Sequence, residues 1–193
     1  MTPAQMHHEL NKLDTAVYAA IAKTRTPGLD EALGRLSPAA DYSKLWLGSA
    51  AALALLGGKQ GRGAAVNGLA SLGLTSALVN VVLKPLWGRR RPERVKHHVR
   101  FARRVRMPRT RSFPSGHAAS GFAFAVGVAS EAPLPGIALS ALAALVAYSR
   151  VHTGVHYPSD VIAGLVTGVA LAAVAVTATE RYLPSRERAE RDT

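Results

Sequence analysis

The sequence predicts an all-α fold: a multi-span transmembrane helix bundle of about five spans, with an N-terminal amphipathic helix. Three observations carry this expectation. Ala, Leu, Val and Gly cluster in blocks that leave charge-free windows at 45–58, 63–83, 118–130, 132–149 and 161–179. Residues 4–23 instead set Met6, Leu10, Leu13, Val17, Ala20 and Ile21 three or four apart, one apolar stripe on a polar helix. The densest polar clusters fall between the windows. A water-soluble all-α bundle is the competing architecture, but five such segments would leave little amphipathic surface to face water.

At 193 residues the chain needs one domain. We divide it into amphipathic N-terminal helices (1–38), a transmembrane core (39–180) and a polar tail (181–193). The opening residues lack the basic patch and apolar run of a signal peptide. The N-terminal helix is too interrupted to span and suits a membrane surface or the flank of the bundle. Thr26-Pro27 and Ser37-Pro38 both read as helix starts. A span needs about 20 apolar residues. The first window approaches that only by including Asp41 and Lys44, and the third only by including Ser-Gly-His before it and Glu131 after it. Gly164 and Gly168 form a small-xxx-small pair suited to close helix packing. Trp46, Trp87 and Tyr157 stand at window ends, where amphipathic rings favour the interface. Five spans bring 84–114 and 150–160 out on one face.

There is no cysteine, which excludes thiolate metal sites and cysteine nucleophiles. The net charge of +12 favours anionic partners. Twelve Lys or Arg lie between 84 and 111 against Glu93 alone, a segment suited to anionic lipid headgroups. Arg89, Arg90 and Arg94 carry no other expectation. Nucleic acid is not expected as a partner.

Three polar pieces stand at window mouths. Lys84 and Arg91-Pro92 close the second. Pro114-Ser115-Gly116-His117 opens the third with a helix start whose backbone N–H groups and dipole suit an anion. Ser149-Arg150, His156 and Asp160 lie between the fourth and fifth. His152 and His156 are four apart, as metal ligands on a helix could be, but Gly154 between them argues against a regular helix and hence against a metal pair. His7-His8 and His97-His98 read as solvated.

In order and spacing the three pieces resemble the signature of the type 2 phosphatidic acid phosphatase family, related to vanadium haloperoxidases: K-x6-R-P, P-S-G-H and S-R-x5-H-x3-D. The resemblance implies that His156 is a nucleophile forming a phosphohistidine, oriented by Asp160, and that His117 is the acid and then the base. It implies phosphate binding by Lys84, Arg91, Arg150 and the backbone at Ser115 and Gly116. Three cations balance a phosphate dianion, so no metal or other cofactor is expected. The implied activity is hydrolysis of a phosphomonoester or pyrophosphate on a membrane lipid: phosphatidate, phosphatidylglycerophosphate, a polyprenyl phosphate or diphosphate, or a polyprenyl-phospho-sugar phosphate. The family commonly has six spans; here the N-terminal helix stands in place of the first. Family members often present the site outward, whereas positive loops stay cytoplasmic, and the charge bias points this site inward from the cell membrane. Two alternatives compete: a haloperoxidase-like vanadate enzyme, whose relatives are larger and soluble, and a non-enzymatic anionic-lipid-binding protein, which explains the charge but not His117, His156 and Asp160.

Overall fold

The computed structural model describes residues 2–182, and within that range every regular element is helical. The tail from residue 183 and the side chain of His7 lie outside the described residues. Helix α1, Pro3–Lys23, begins with a capping box in which Thr2 and Gln5 satisfy each other's backbone N–H groups. Helix α2, Pro27–Ala39, starts at Thr26 as expected, but Ser37-Pro38 starts nothing: Pro38 lies inside its last turn. The chain turns instead at Tyr42 and Ser43, both left-handed with φ of 57° and 60°, before α3, Lys44–Leu56. Such a conformation costs an L-residue roughly 1–3 kcal/mol and persists only where surroundings hold it.

Helix α4 runs Gly58–Leu86 and passes through a π-helical stretch, Leu78–Leu83. Pro85 follows directly. It has no N–H to donate, and its ring clashes with a normally spaced carbonyl four residues back; the wider π turn relieves that crowding. Helices α5 (Gly116–Ala129), α6 (Pro133–His152) and α7 (Pro158–Tyr182) complete the bundle. Helix α5 is its axis, packed against α4, α6 and α7. It is built mostly from Gly, Ala and Ser, so neighbouring backbones approach closely. At Gly168 a Cβ would lie 2.3 Å from the carbonyl of Ala119, and at Gly164 one would lie 2.5 Å from that of Ser115. The small-xxx-small pair thus clamps the start of α7 onto the start of α5.

Three helices, α4, α6 and α7, are long and apolar enough to cross a membrane. Less than two-fifths of each is buried, and Val81, Ile137, Ile162 and Val166 point outward, the inverse of a water-soluble bundle. The first and third windows become the shorter α3 and α5, of 13 and 14 residues. Helix α5 spans only about 21 Å at 1.5 Å per residue. Ringed by other helices, it need not reach both lipid faces, and its N-terminus can open into a polar recess.

Two aromatic expectations change. Trp46 is buried against Phe124, centroids 5.8 Å apart, rather than interfacial. Tyr157 stacks beneath Arg89, 4.4 Å from the guanidinium carbon. His97, expected in solvent, packs edge-on against Tyr18. Helix α1 lies over the mouths of α6 and α7 through Tyr18 and Ala22, while Met6, Leu10, Leu13 and Val17 face outward.

Candidate active site

The nucleophile candidate sits just past α6. That helix ends at His152, and Gly154, at φ +73°, takes a left-handed turn that other residues adopt only with strain. The turn brings the N–H groups of Val155 and His156 back onto the carbonyl of Arg150 at 2.9 and 3.1 Å. His156 is thereby fixed and buried. Its Nδ1 lies 3.3 Å from Oδ2 of Asp160 and 3.3 Å from Oγ of Ser112, which itself donates to that carboxylate at 2.5 Å. With Nδ1–H on the carboxylate, Nε2 carries the lone pair, and Nη1 of Arg91 lies 3.1 Å from it. Burial pushes the imidazole down to about 3 despite Asp160, so the ring is neutral near pH 7.

Asp160 is held on every side. Its Oδ2 also accepts from the Tyr157 N–H at 3.0 Å, and its Oδ1 accepts from Arg89 at 2.8 Å. Arg89 donates in turn to Asp14 of α1 at 2.6 Å. Asp14 further accepts the Ser159 N–H at 2.9 Å and the Ser159 hydroxyl. Burial acts to lower the basicity of Arg89, but its bonds to Asp14 and Asp160 outweigh this and raise it. Neither Arg89 nor Asp14 was expected in the site. Locally, nothing separates Arg89 from Arg90, and Asp14 is a single carboxylate on an amphipathic helix.

The cations converge unequally. Arg91 is tethered to the carbonyls of Thr110, Val155 and Arg111, and burial brings it down to about 10. Arg150 is buried, with Nη1 on Ser37 Oγ at 2.6 Å, while its Nε has no partner among the described residues. Lys84 donates to Asn80 at 2.9 Å and lies 3.2 Å from where a Cβ on Gly116 would stand, so the missing side chain admits the ammonium to the start of α5. Ser115 departs from expectation. Its N–H, expected to be free for an anion, donates to the carbonyl of Asp160 at 2.8 Å because α7 packs so close, and its hydroxyl caps α5. The unclaimed N–H groups of that helix start belong to Gly116 and His117.

His117 stands in the first turn of α5, with Nε2 2.9 Å from Oδ1 of Asp41. That partner, from the strained turn before α3, was also unforeseen. A cavity of about 170 Å³ opens beside them, lined by Lys84, Gly116, His117, Asn80, Ser76 and Ser120 among others. His152 does not join His156: its Nε2 meets Asp30 at 3.0 Å. Much of the basic segment is structural. Arg103 is fully buried on Asp30 and the carbonyls of Ile21 and Thr24, and Arg94 holds the carbonyls of Gly154 and Val105.

A family model described as the PAP2 superfamily matches residues 64–183, which takes in all three motif pieces. The chain belongs to the PAP2 superfamily. It is 39% identical over 150 residues to a decaprenylphosphoryl-5-phosphoribose phosphatase of Mycolicibacterium smegmatis, covering 77% of each chain. Against the enzyme of that name from Mycobacterium tuberculosis it is 39% identical over 98 residues, and the match spans about half of that relative's length, 51%. In fold it is similar to Aquifex aeolicus LpxE, with a TM-score of 0.70 and 23% identity, over 86% of this chain and 95% of that one. It is also similar to the transmembrane PAP2-type phosphatidylglycerolphosphate phosphatase of Bacillus subtilis, with a TM-score of 0.65 and 25% identity, over 90% and 88%. The likeness in fold therefore covers about nine-tenths of this chain, well beyond the residues that the family model matches.

Proposed function

We propose that this PAP2 protein is an integral-membrane lipid phosphatase that hydrolyses a phosphomonoester through a phosphohistidine, without a metal. The observation that carries this is the pair of bonds on His156: Asp160 on Nδ1 and Arg91 beside Nε2. Nε2 attacks phosphorus as the bond to the leaving alkoxide breaks, and His117 gives that oxygen its proton. His117, now neutral, takes a proton from water, which displaces phosphate from His156 and restores both rings. Arg91, Lys84, Arg150 and the Gly116 N–H stabilise the equatorial oxygens, the unpartnered Arg150 Nε among them. Asp160, Arg89 and Ser112 hold the nucleophile, and Asp41 holds the acid.

Lipids of the kind named in the mycobacterial relatives, a polyprenyl-phospho-sugar phosphate, join phosphatidate and phosphatidylglycerophosphate as candidate substrates. The chain is placed in the cell membrane. The charge bias of 84–111 supports a site that faces the cytoplasm. The deciding assay is phosphate release from these lipids by wild type and His156→Ala with EDTA present. Wild-type turnover that persists in EDTA and vanishes in the variant is expected. Full activity in the variant overturns the nucleophile, and loss in EDTA overturns the metal-free mechanism. Labelling single cysteines introduced at 95–105 from either side reports the orientation.

A further inference from the structure

A second cavity, of about 260 Å³, shares His117 with the Lys84 recess and is otherwise bounded by Asp41, Tyr42, Arg106, Met107, Pro108 and Arg109. Among the twelve basic residues of 84–111, eight already have partners within the chain: Lys84, Arg89, Arg91, Arg94, Arg100, Arg103, Arg104 and Arg111. The other four are all exposed, and of these Arg90 and Lys96 line neither cavity beside His117. Arg106 and Arg109 make no hydrogen bond or ion pair with the described residues, and both border this one. Pro108 fixes the backbone between them, and Met107 and Pro108 are half-buried, so the two guanidinium groups stand on an anchored loop. Tyr42, left-handed and exposed, forms a wall common to both cavities. The one carboxylate here, Asp41, is already matched by His117 at 2.9 Å and Arg150 at 3.8 Å, so the free charge of the cavity is positive.

We propose that Arg106 and Arg109 form a second anion site that receives a phosphate on the leaving-group side of the substrate. This rests on the reading of His117 as the acid: the oxygen it protonates lies beside it, and whatever that oxygen carries extends past it. Phosphatidate offers a neutral diacylglycerol there and leaves both guanidinium groups unmatched. A lipid bearing a terminal phosphomonoester and an internal phosphodiester, joined by a small polar linker such as a sugar, places its second anion against them, where the planar forks of arginine bind phosphate bidentately. The volume suits this, since liquid water takes about 30 Å³ per molecule and the cavity holds several times that.

The test uses the full chain in mixed micelles, with two probes: a short-chain prenyl-phosphoryl pentose 5-phosphate and a phosphatidate of matched chain length. Affinity is measured on the His156→Ala background, which needs no turnover, and kcat/KM on the wild-type background. The two-phosphate lipid is expected to bind about ten- to a hundredfold tighter than phosphatidate. Arg106→Ala with Arg109→Ala is expected to collapse that ratio toward one, whereas Arg90→Ala with Lys96→Ala, which removes equal charge elsewhere, keeps it. Equal binding of both lipids by the parent protein overturns the proposal. So does an equal loss for both lipids, or the same collapse in the control pair. Absence of turnover with either lipid, alongside the expected binding ratio, overturns the phosphatase reading and leaves the anion site standing.

Discussion

The Nε2 of His117 and the Oδ1 of Asp41 lie 2.9 Å apart, joining the first turn of α5 to a left-handed turn 76 residues earlier. Burial lowers the basicity of His117, and the Asp41 carboxylate offsets part of that loss while fixing the ring's tautomer and orientation, which helps it carry the proton that a leaving-group acid gives up. Asp41→Asn is expected to lower kcat on alkyl lipid phosphates roughly ten- to a hundredfold, with a smaller change in KM. On p-nitrophenyl phosphate, whose leaving group departs without a proton, the loss shrinks severalfold. Equal losses on both substrates would show that Asp41 merely supports the fold.

The bridge from Asp14 through Arg89 to Asp160 predicts a different signature. Arg89→Ala strands two carboxylates, one of them fully buried, and costs roughly 3 kcal/mol. Thermal unfolding in detergent should show the loss, and kcat should fall with it. Arg89→Lys, with one ammonium where the guanidinium meets both carboxylates, is expected to recover less than half of the stability.

Helix spacing sets a third expectation. A methyl at Gly168 meets the carbonyl of Ala119, and one at Gly164 meets that of Ser115. Neither obstacle is a flexible side-chain end, so the helices must separate. Gly164→Ala is expected to cost about 1–3 kcal/mol. Because it also shifts the start of α5, it should depress phosphate release more than Gly168→Ala does. Comparing activity at matched folded fraction tests this; equal activities refute it.

The pH response follows from His156. Burial lowers its pKa from 6.5 to about 3, so between those values the unfolded chain binds a proton that the folded chain does not. Stability is then fully present above about pH 6.5 and declines as pH falls toward 3. Melting temperatures from pH 7 to 4 should fall more steeply for wild type than for His156→Gln. Parallel curves would contradict a neutral, buried imidazole.

The motif residues stand out in the sequence because Lys, Arg, His and Asp are conspicuous between apolar blocks. Close packing of α7 was legible too, since Gly164 and Gly168 lie one turn apart, but not that its partner is α5. What the sequence hid were partners chosen by tertiary position. Arg89, Arg90 and Arg91 are neighbours of one chemistry; only the fold sends the first to Asp160, the second to solvent and the third to His156. Asp14 and Asp41 are isolated carboxylates, found by distance rather than spacing. The Ser115 N–H looked free because a helix start leaves it so; it is taken because α7 arrives against it. Ser37-Pro38 misled because proline suits a last helical turn as well as a first, and here Ser37 is held by Arg150.

Asp14 and Ser159 stand 145 residues apart, so the ribosome makes one well before the other. The outer support of the candidate nucleophile is thus made before the residues that it braces. A nascent chain holding the first four window-bearing helices already carries most of its cations, yet the His156–Asp160 pair remains unbraced until α7 emerges and docks. Assembly of the site thus waits on the docking of α7, and removing α1 would take away part of its support while sparing every motif.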